Sequence, residues 1–493
     1  MVKITPKDCS LILEGDIGGE RPCYVYIPPH KNYIIYSYSM EELLQLKEIK
    51  YNLEISEEGV SFFLQSGVIP PPKTIFKNIF VLNIGDKLYL KADNNKIKEE
   101  FHHEYPFFNS YRNPELIPDE DYLLSMLAET VRTRKIFGSP TYLFQSLGKD
   151  SNTILLALAE AGYQREIICL TLSTEDRKDE SEIAEKIAQK LGFKHQKLPL
   201  PSKIEKKHID ELIYYFENIP FPCADGTSLV YPIYATQLDF KKTDIIDGSG
   251  NDIYFGHIPR PIEYKRQKIY PKFVFFRDWV ENLSTGHILQ KFSLTRCEMA
   301  IYILKGLSYG DCKKIFPESV PVYFYWMEED KKRKNWDYID LKGDIWGTKA
   351  EYDLVMKKVR NFVSVYKANP IFPWCNKDIA LYIGRLPEKY LFDRGKFKNK
   401  LLLRKILKER LNLDSDLIGK YSYGFSAYQF LKPILNIVEN EILNCKLWDK
   451  KGIKVFWKEL KERSDKEKIY RKILVRLFLI SAWYNHNFYL RKG

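Results

Sequence analysis

The sequence predicts an α/β protein built on a parallel sheet with helices on both faces, preceded by a small β-rich region. Three observations carry this. From about residue 115, short β-branched runs alternate with amphipathic helical patterns, the order that builds parallel sheets. Two of the strands run into glycine-bearing loops. Before about residue 110 the pattern is instead short β runs broken by Pro and Gly.

In the first region, Tyr24-Val-Tyr-Ile, Tyr33-Ile-Ile-Tyr-Ser-Tyr and Ile79-Phe-Val-Leu-Asn-Ile have strand composition. Pro70-Pro-Pro-Lys reads as a rigid connector. The polar, aromatic stretch from His102-His103 to Pro114 is the best boundary, which gives domains 1–110 and 115–493. The histidine pair in it reads as solvated, since no acidic or cysteine partner stands at ligand spacing. Next, Pro118-Asp-Glu-Asp opens a helix through Thr130, and Thr141-Tyr-Leu-Phe is a strand. A helix is expected over Thr153–Ala161, a strand over Ile167-Ile-Cys-Leu-Thr-Leu and an amphipathic helix over Asp179–Leu191. Thr243-Asp-Ile-Ile-Asp is a further strand, and the chain is mostly helical after 270.

The 493 residues are 45% apolar and 29% charged, a globular composition that excludes wholesale disorder and exceeds one ordinary core. The net charge of +12 is not spread evenly. Residues 391–493 hold 24 Lys+Arg against 11 Asp+Glu, and the remainder is balanced. That places either a solvated helical surface or a face for an anionic partner at the C-terminal end. Eight scattered cysteines without a CxxC pair fit a reducing compartment. The N-terminus lacks a signal-peptide core and no apolar stretch is long enough to span a bilayer, so a soluble cytoplasmic protein is expected.

Two motifs carry chemistry. Ser146-Leu-Gly-Lys-Asp-Ser151 follows the strand Thr141–Phe144 and precedes a helix. Small residues and a helix N-terminus there suit a phosphate. Ser146, Gly148 and Lys149 would bind nucleotide, Asp150 a metal, and Ser151 would cap the helix. Asp247-Gly-Ser-Gly-Asn-Asp-Ile-Tyr-Phe-Gly256 follows the next such strand, where open parallel sheets bind ligands. Gly248 and Gly250 shape this loop. Asp252 offers a second carboxylate, which with Asp150 would make a Mg2+ site completed by phosphate oxygens and water.

These loops resemble the SGGxDS pyrophosphate loop of N-type ATP pyrophosphatases and the SGEGxDExFGG segment of asparagine synthetases. Asp179-Glu180 resembles the family's DE segment, Pro373-Trp-Cys-Asn376 its PFLD segment and Lys400-Leu-Leu-Leu-Arg404 its KxxLR helix. Residues 66–90 resemble the end of its glutaminase domain. The resemblance implies an adenine-nucleotide α-hydrolase-like fold and an enzyme using ATP and Mg2+. A carboxylate would be adenylated with release of pyrophosphate, and an amine would displace AMP. Lys400 and Arg404 would contact phosphate.

The sequence departs from the family at defined places. Leu147 replaces a loop glycine and puts a side chain near the phosphates. Ser249 stands where a base is expected, Ile253 at the Glu after Asp252, and Asn369 at the Glu before PFLD. Ser422 stands at the catalytic lysine, with Lys420 two residues earlier. Val2 follows Met1 and the first cysteine is Cys9, so no N-terminal glutaminase nucleophile is expected. The β-rich region would be a truncated Ntn-type glutaminase domain. Losing that activity resembles β-lactam synthetases and lasso-peptide cyclases, whose amine belongs to a small-molecule or peptide substrate. Two alternatives stay open: an amidotransferase of sugar or metabolite biosynthesis fed with ammonia by a partner, and a nucleotide- or RNA-binding pseudoenzyme.

Overall fold

The computed structural model describes residues 1–6, 10–137, 140–173, 179–414, 416 and 425–489. Seven strands form the β-rich region: β1 (Val2–Ile4), β2 (Ser10–Glu14), β3 (Cys23–Tyr26), β4 (Ile34–Ser37), β5 (Ile79–Leu82), β6 (Asp86–Asp93) and β7 (Lys96–His103). They make two antiparallel sheets, β1-β4-β3-β5 and β2-β6-β7. Alternate residues of both sheets, among them Val25, Ile34, Leu82, Leu88 and Ile97, bury into one small core. The β6–β7 hairpin turns at Asn94-Asn95, both with positive φ, as a tight hairpin turn requires.

The hairpin corrects the reading of the histidine pair. His102 pairs with Glu100 at 2.8 Å. His103 lies between Asp86 (2.7 Å) and Asp344 (2.8 Å) and is largely buried. Strand pairing brings Asp86 opposite His103, a partner seventeen residues away that ligand spacing does not register. The segment after the hairpin is likewise docked. Tyr105 and Phe107 are buried, and the Tyr105 hydroxyl donates to Ile253 O at 3.0 Å.

A third, larger sheet has five parallel strands in the order β10-β9-β8-β11-β12. These are β8 (Thr141–Phe144), β9 (Ile167–Ser173), β10 (Lys194–Pro199), β11 (Asp244–Ile246) and β12 (Asn369–Ile371). Helices Glu120–Arg134, Lys149–Glu160 and Ser181–Lys190 connect and cover them. The expected strands and helices are present; the first two helices are longer than the sequence suggests, and the third, Ser181–Lys190, is shorter than the expected Asp179–Leu191. The helix after β8 starts at Lys149 rather than Thr153, so the loop is its first turn. β10 has the edge-strand composition Lys-His-Gln-Lys-Leu-Pro and carries no apolar run to reveal it. Beyond β11 the chain is mostly helical, including an unusual π-helical segment, Ile345–Met356, continued by the helix Lys357–Tyr366.

The β-rich region rests on this body through buried polar contacts. Asp353 accepts from the Ile69 amide at 2.8 Å, and Gln65 donates to Val320 O at 2.8 Å. No helix of the described residues is long and apolar enough to cross a membrane.

Candidate functional site

Two loops meet at the C-terminal ends of β8 and β11. Gly148 is the N-cap of the helix Lys149–Glu160, so the first amides of that helix face outward with its positive dipole end. The loop is tied to itself. Ser146 N donates to Ser151 Oγ at 3.2 Å, and Asn152 Nδ2 donates to Ser146 O and Gly148 O at 2.9 Å each. Ser151 thus braces the loop from within the first turn and is not the N-cap. Glu180 holds the loop from outside by accepting from Leu147 N at 3.1 Å. The Leu147 side chain turns away from the cavity into the core, 8% exposed, and joins the cluster of Leu124 and Leu127. The expectation that it stands near phosphates is therefore corrected: Leu147 is not among the residues lining the cavity, and its side chain belongs to the core.

The second loop packs on the first. A Cβ on Gly248 would stand 3.1 Å from Ser151 N, and one on Gly250 would stand 2.2 Å from Cys375 Sγ. Gly250 also has φ +104, so glycine is required there on both counts. Ser249 donates its amide (2.9 Å) and its hydroxyl to Asp247.

Lys400 joins the two loops. Its Nζ lies 2.8 Å from both Asp150 oxygens, 2.7 Å from Asp252 Oδ1 and 2.8 Å from Asn251 Oδ1. Asn251 Nδ2 completes the ring by donating to Asp150 at 2.7 Å. Burial opposes both charges, yet Lys400 holds the Asp252 carboxyl well below its usual range and is itself held above its own. Lys400 takes a left-handed backbone, φ +55, costly for a lysine and held by this network.

The cavity over these groups has a volume of about 440 Å³. Ser146, Gly148, Asp150, Ser151, Gly248, Ser249, Asp252 and Lys400 line it. Lys149 opens the helix, and Gly250 lies beneath the wall. Two other expected residues lie elsewhere. Arg404 pairs with Asp416 and donates to Asn399 O at 2.8 Å. Asn369 begins β12 at the opposite end of the sheet, donating to Asp244 (2.7 Å) and Arg134 O (2.8 Å). A residue four before the Pro373 turn starts the strand and cannot reach its end. Lys420 and Ser422 lie outside the described residues, as does Cys9.

Sequence reasoning missed four wall residues. Glu351 accepts from Gly250 N at 2.8 Å through Oε1, while its buried Oε2 has no partner. Burial, with Asp252 nearby, pushes its carboxyl up to about 8. His257 stacks on Trp346 with centroids 4.4 Å apart and stands 3.5 Å from Asp252. Lys358 reaches Asp225 and Thr227 at 2.9 Å each. Glu351, Trp346 and Lys358 come from helical segments without a recognisable motif, and His257 from the loop just after Gly256. A buried Glu in the apolar run from Ile345 is the one signal the sequence offered.

The donor set fits Mg2+. Two hard carboxylates share one cation here, and no group of three metal-ligating side chains exists among the described residues, so ligand oxygens must complete the shell.

Fold and site together define an α/β protein of the adenine-nucleotide α-hydrolase-like class. Its family follows from comparison: the asparagine synthase family model matches residues 123–483, and the chain belongs to that family. It is also 24% identical over 240 residues to "Putative asparagine synthetase [glutamine-hydrolyzing] 2" of Methanocaldococcus jannaschii. That match covers 48% of this chain and 45% of the relative, so the two share about half their lengths.

Proposed function

We propose that this protein is an ATP-dependent ligase that adenylates a carboxylate and forms an amide without hydrolysing glutamine. The observation that carries this is the shared hold of Lys400 on Asp150 and Asp252 at one mouth of the sheet. Asp150 and Asp252 would hold Mg2+, which supplies charge neutralisation to a leaving pyrophosphate. The amides at Gly148 and the helix start would orient the phosphates. Lys400 would pass from the carboxylates to the phosphate oxygens as charge develops.

A neighbouring cavity of about 450 Å³ shares His257 and Trp346 with the first and is lined by Leu294, Met299 and Tyr302. It provides an apolar place for the substrate carboxylate's body. Glu351 supplies the loop wall with a carboxyl that Ser249 lacks, and we assign it the proton of the attacking amine. The glutaminase-free reading is supported by the cysteines. Every described one is buried, and burial pushes Cys23, Cys169 and Cys223 up to about 12, leaving none activated as a nucleophile. Among the glutaminase-free branches, those in which the substrate brings its own amine fit this best.

The test is exchange of labelled pyrophosphate into ATP by purified protein over a panel of carboxylates. The reading expects exchange with at least one of them, abolished in Asp150→Ala. Exchange that survives in Asp150→Ala, or AMP formed only when glutamine is supplied, would overturn it.

A further inference from the structure

Among the described residues six exposed Phe and Trp side chains occur, and five fall within residues 273–292: Phe273, Phe275, Phe276, Trp279 and Phe292. Phe275 is 73% exposed and Trp279 59%. Ile262, Ile269, Ile288 and Ile303 are exposed beside them. The cations Arg260, Lys265, Arg266, Lys268, Lys272 and Lys291 are exposed on the same stretch, against one exposed acid, Asp278.

These residues belong to one compact unit. Buried Arg277 donates to Gln290 O at 3.1 Å and pairs with Glu281 and Glu298. Gln290 in turn donates to Leu283 O and Ser284 O at 3.3 and 3.2 Å. Tyr270 packs edge-on against Phe292 at 5.1 Å. The fold thus spends buried ion pairs and hydrogen bonds on holding apolar side chains outward. Exposed apolar surface on this scale marks an interaction site.

We infer that this face docks on an anionic lipid bilayer. The exposed aromatic side chains sit on three short helices, Tyr270–Phe276, Arg277–Glu281 and Leu289–Phe292. Such side chains suit a soft apolar phase, and aromatics interleaved with Lys and Arg are the composition of interfacial helices. The cations then meet lipid phosphates. A second copy would set the same six cations against each other, which opposes a symmetric dimer here. The C-terminal excess is a weaker candidate for anions, because many of its cations already have carboxylates: Lys398 and Arg404 with Asp416, Arg410 with Asp121 and Glu160, Arg463 with Glu459 and Glu467. The 450 Å³ cavity has Ile262, Arg266, Lys291 and Ile303 in its lining, so it opens on this same face. The inference stands whether or not the ligase reading does.

The test uses the full chain and sedimentation with vesicles of phosphatidylcholine alone or with about one third phosphatidylglycerol. Binding is expected only with the anionic lipid, weakening as salt rises. Lys265→Gln/Lys268→Gln/Lys272→Gln should weaken it by about tenfold or more, and Phe275→Ser/Trp279→Ser should abolish it. Both variants change exposed side chains, and their circular dichroism and melting should match the parent. Brominated acyl chains should quench fluorescence in the parent and not in Trp279→Phe. No binding to anionic vesicles, binding that ignores these substitutions, self-association through this face, or capture of soluble polyglutamate in place of vesicles would each overturn the inference.

Discussion

Lys400 Nζ stands 2.8 Å from both carboxylate oxygens of Asp150, and the same ammonium holds Asp252 at 2.7 Å. The lysine therefore occupies the place of a cation between the two carboxylates proposed to hold Mg2+, and its removal has two separable consequences. In Lys400→Met without metal, two half-buried carboxylates lose their partner, at a cost of about 2 kcal/mol. Millimolar Mg2+ should restore more stability to the variant than to the parent, because the metal replaces the lost charge. Pyrophosphate exchange should fall by about a hundredfold or more in the variant even with Mg2+. Melting curves with and without Mg2+ check the first, and an unchanged gap between variant and parent would refute it.

Glu351 gives a pH dependence of known sign. Its carboxyl titrates near 8 in the folded protein and at about 4.5 as an ordinary glutamate. Between these values the native state binds more protons than the unfolded state, so this group makes stability fall as pH rises. Denaturation in EDTA at pH 5, 6.5 and 8 should show the parent losing stability relative to Glu351→Gln across that window. A difference that is flat with pH, or that grows in the parent's favour, would contradict it.

Leu147 separates packing from ligand contact. Its side chain is buried with Leu124 and Leu127, while its amide is held by Glu180. Leu147→Ala should cost about 2–5 kcal/mol in stability. Nucleotide affinity of the folded fraction, measured by calorimetry below the melting range, should change by less than about threefold. A variant of full stability whose affinity for ATP rises would show that the side chain crowds the phosphates after all.

The same residue shows where sequence reasoning stops. The alternation of strands and helices from Thr141 to Ile246 was legible because each element carries its own periodicity. So was the convergence of Asp150 and Asp252, because each lies in a motif that follows a strand. Side-chain direction was not legible: Leu147 looks like an obstacle in a linear motif and is a core residue in space. Asn369 fails for the complementary reason, since a position counted back from Pro373 falls at the far end of a strand. Glu351 comes from a helical segment and His257 from the loop after Gly256, neither with a local signature, and only their position against the loops marks them. The polar strand β10 and the β6–β7 hairpin lacked an apolar run.

That hairpin carries the last prediction. His103 joins the β-rich region to the synthetase body through Asp86 at 2.7 Å and Asp344 at 2.8 Å. Burial and Lys349 oppose a charge on the ring, but Asp344 and Asp86 outweigh them and hold the imidazole above its usual range. A raised histidine stabilises fully below its unfolded pKa, about 6.5, and loses that contribution as pH rises through the folded value. His103→Ala should therefore cost most at pH 6, about 3 kcal/mol, since Arg333 still neutralises Asp344 at 2.6 Å and limits the damage. At pH 9 the cost should shrink toward that of lost packing alone. Urea denaturation of parent and variant at the two pH values measures it. An equal cost at both would mean that the ring is neutral throughout and that the two carboxylates draw no charge from it.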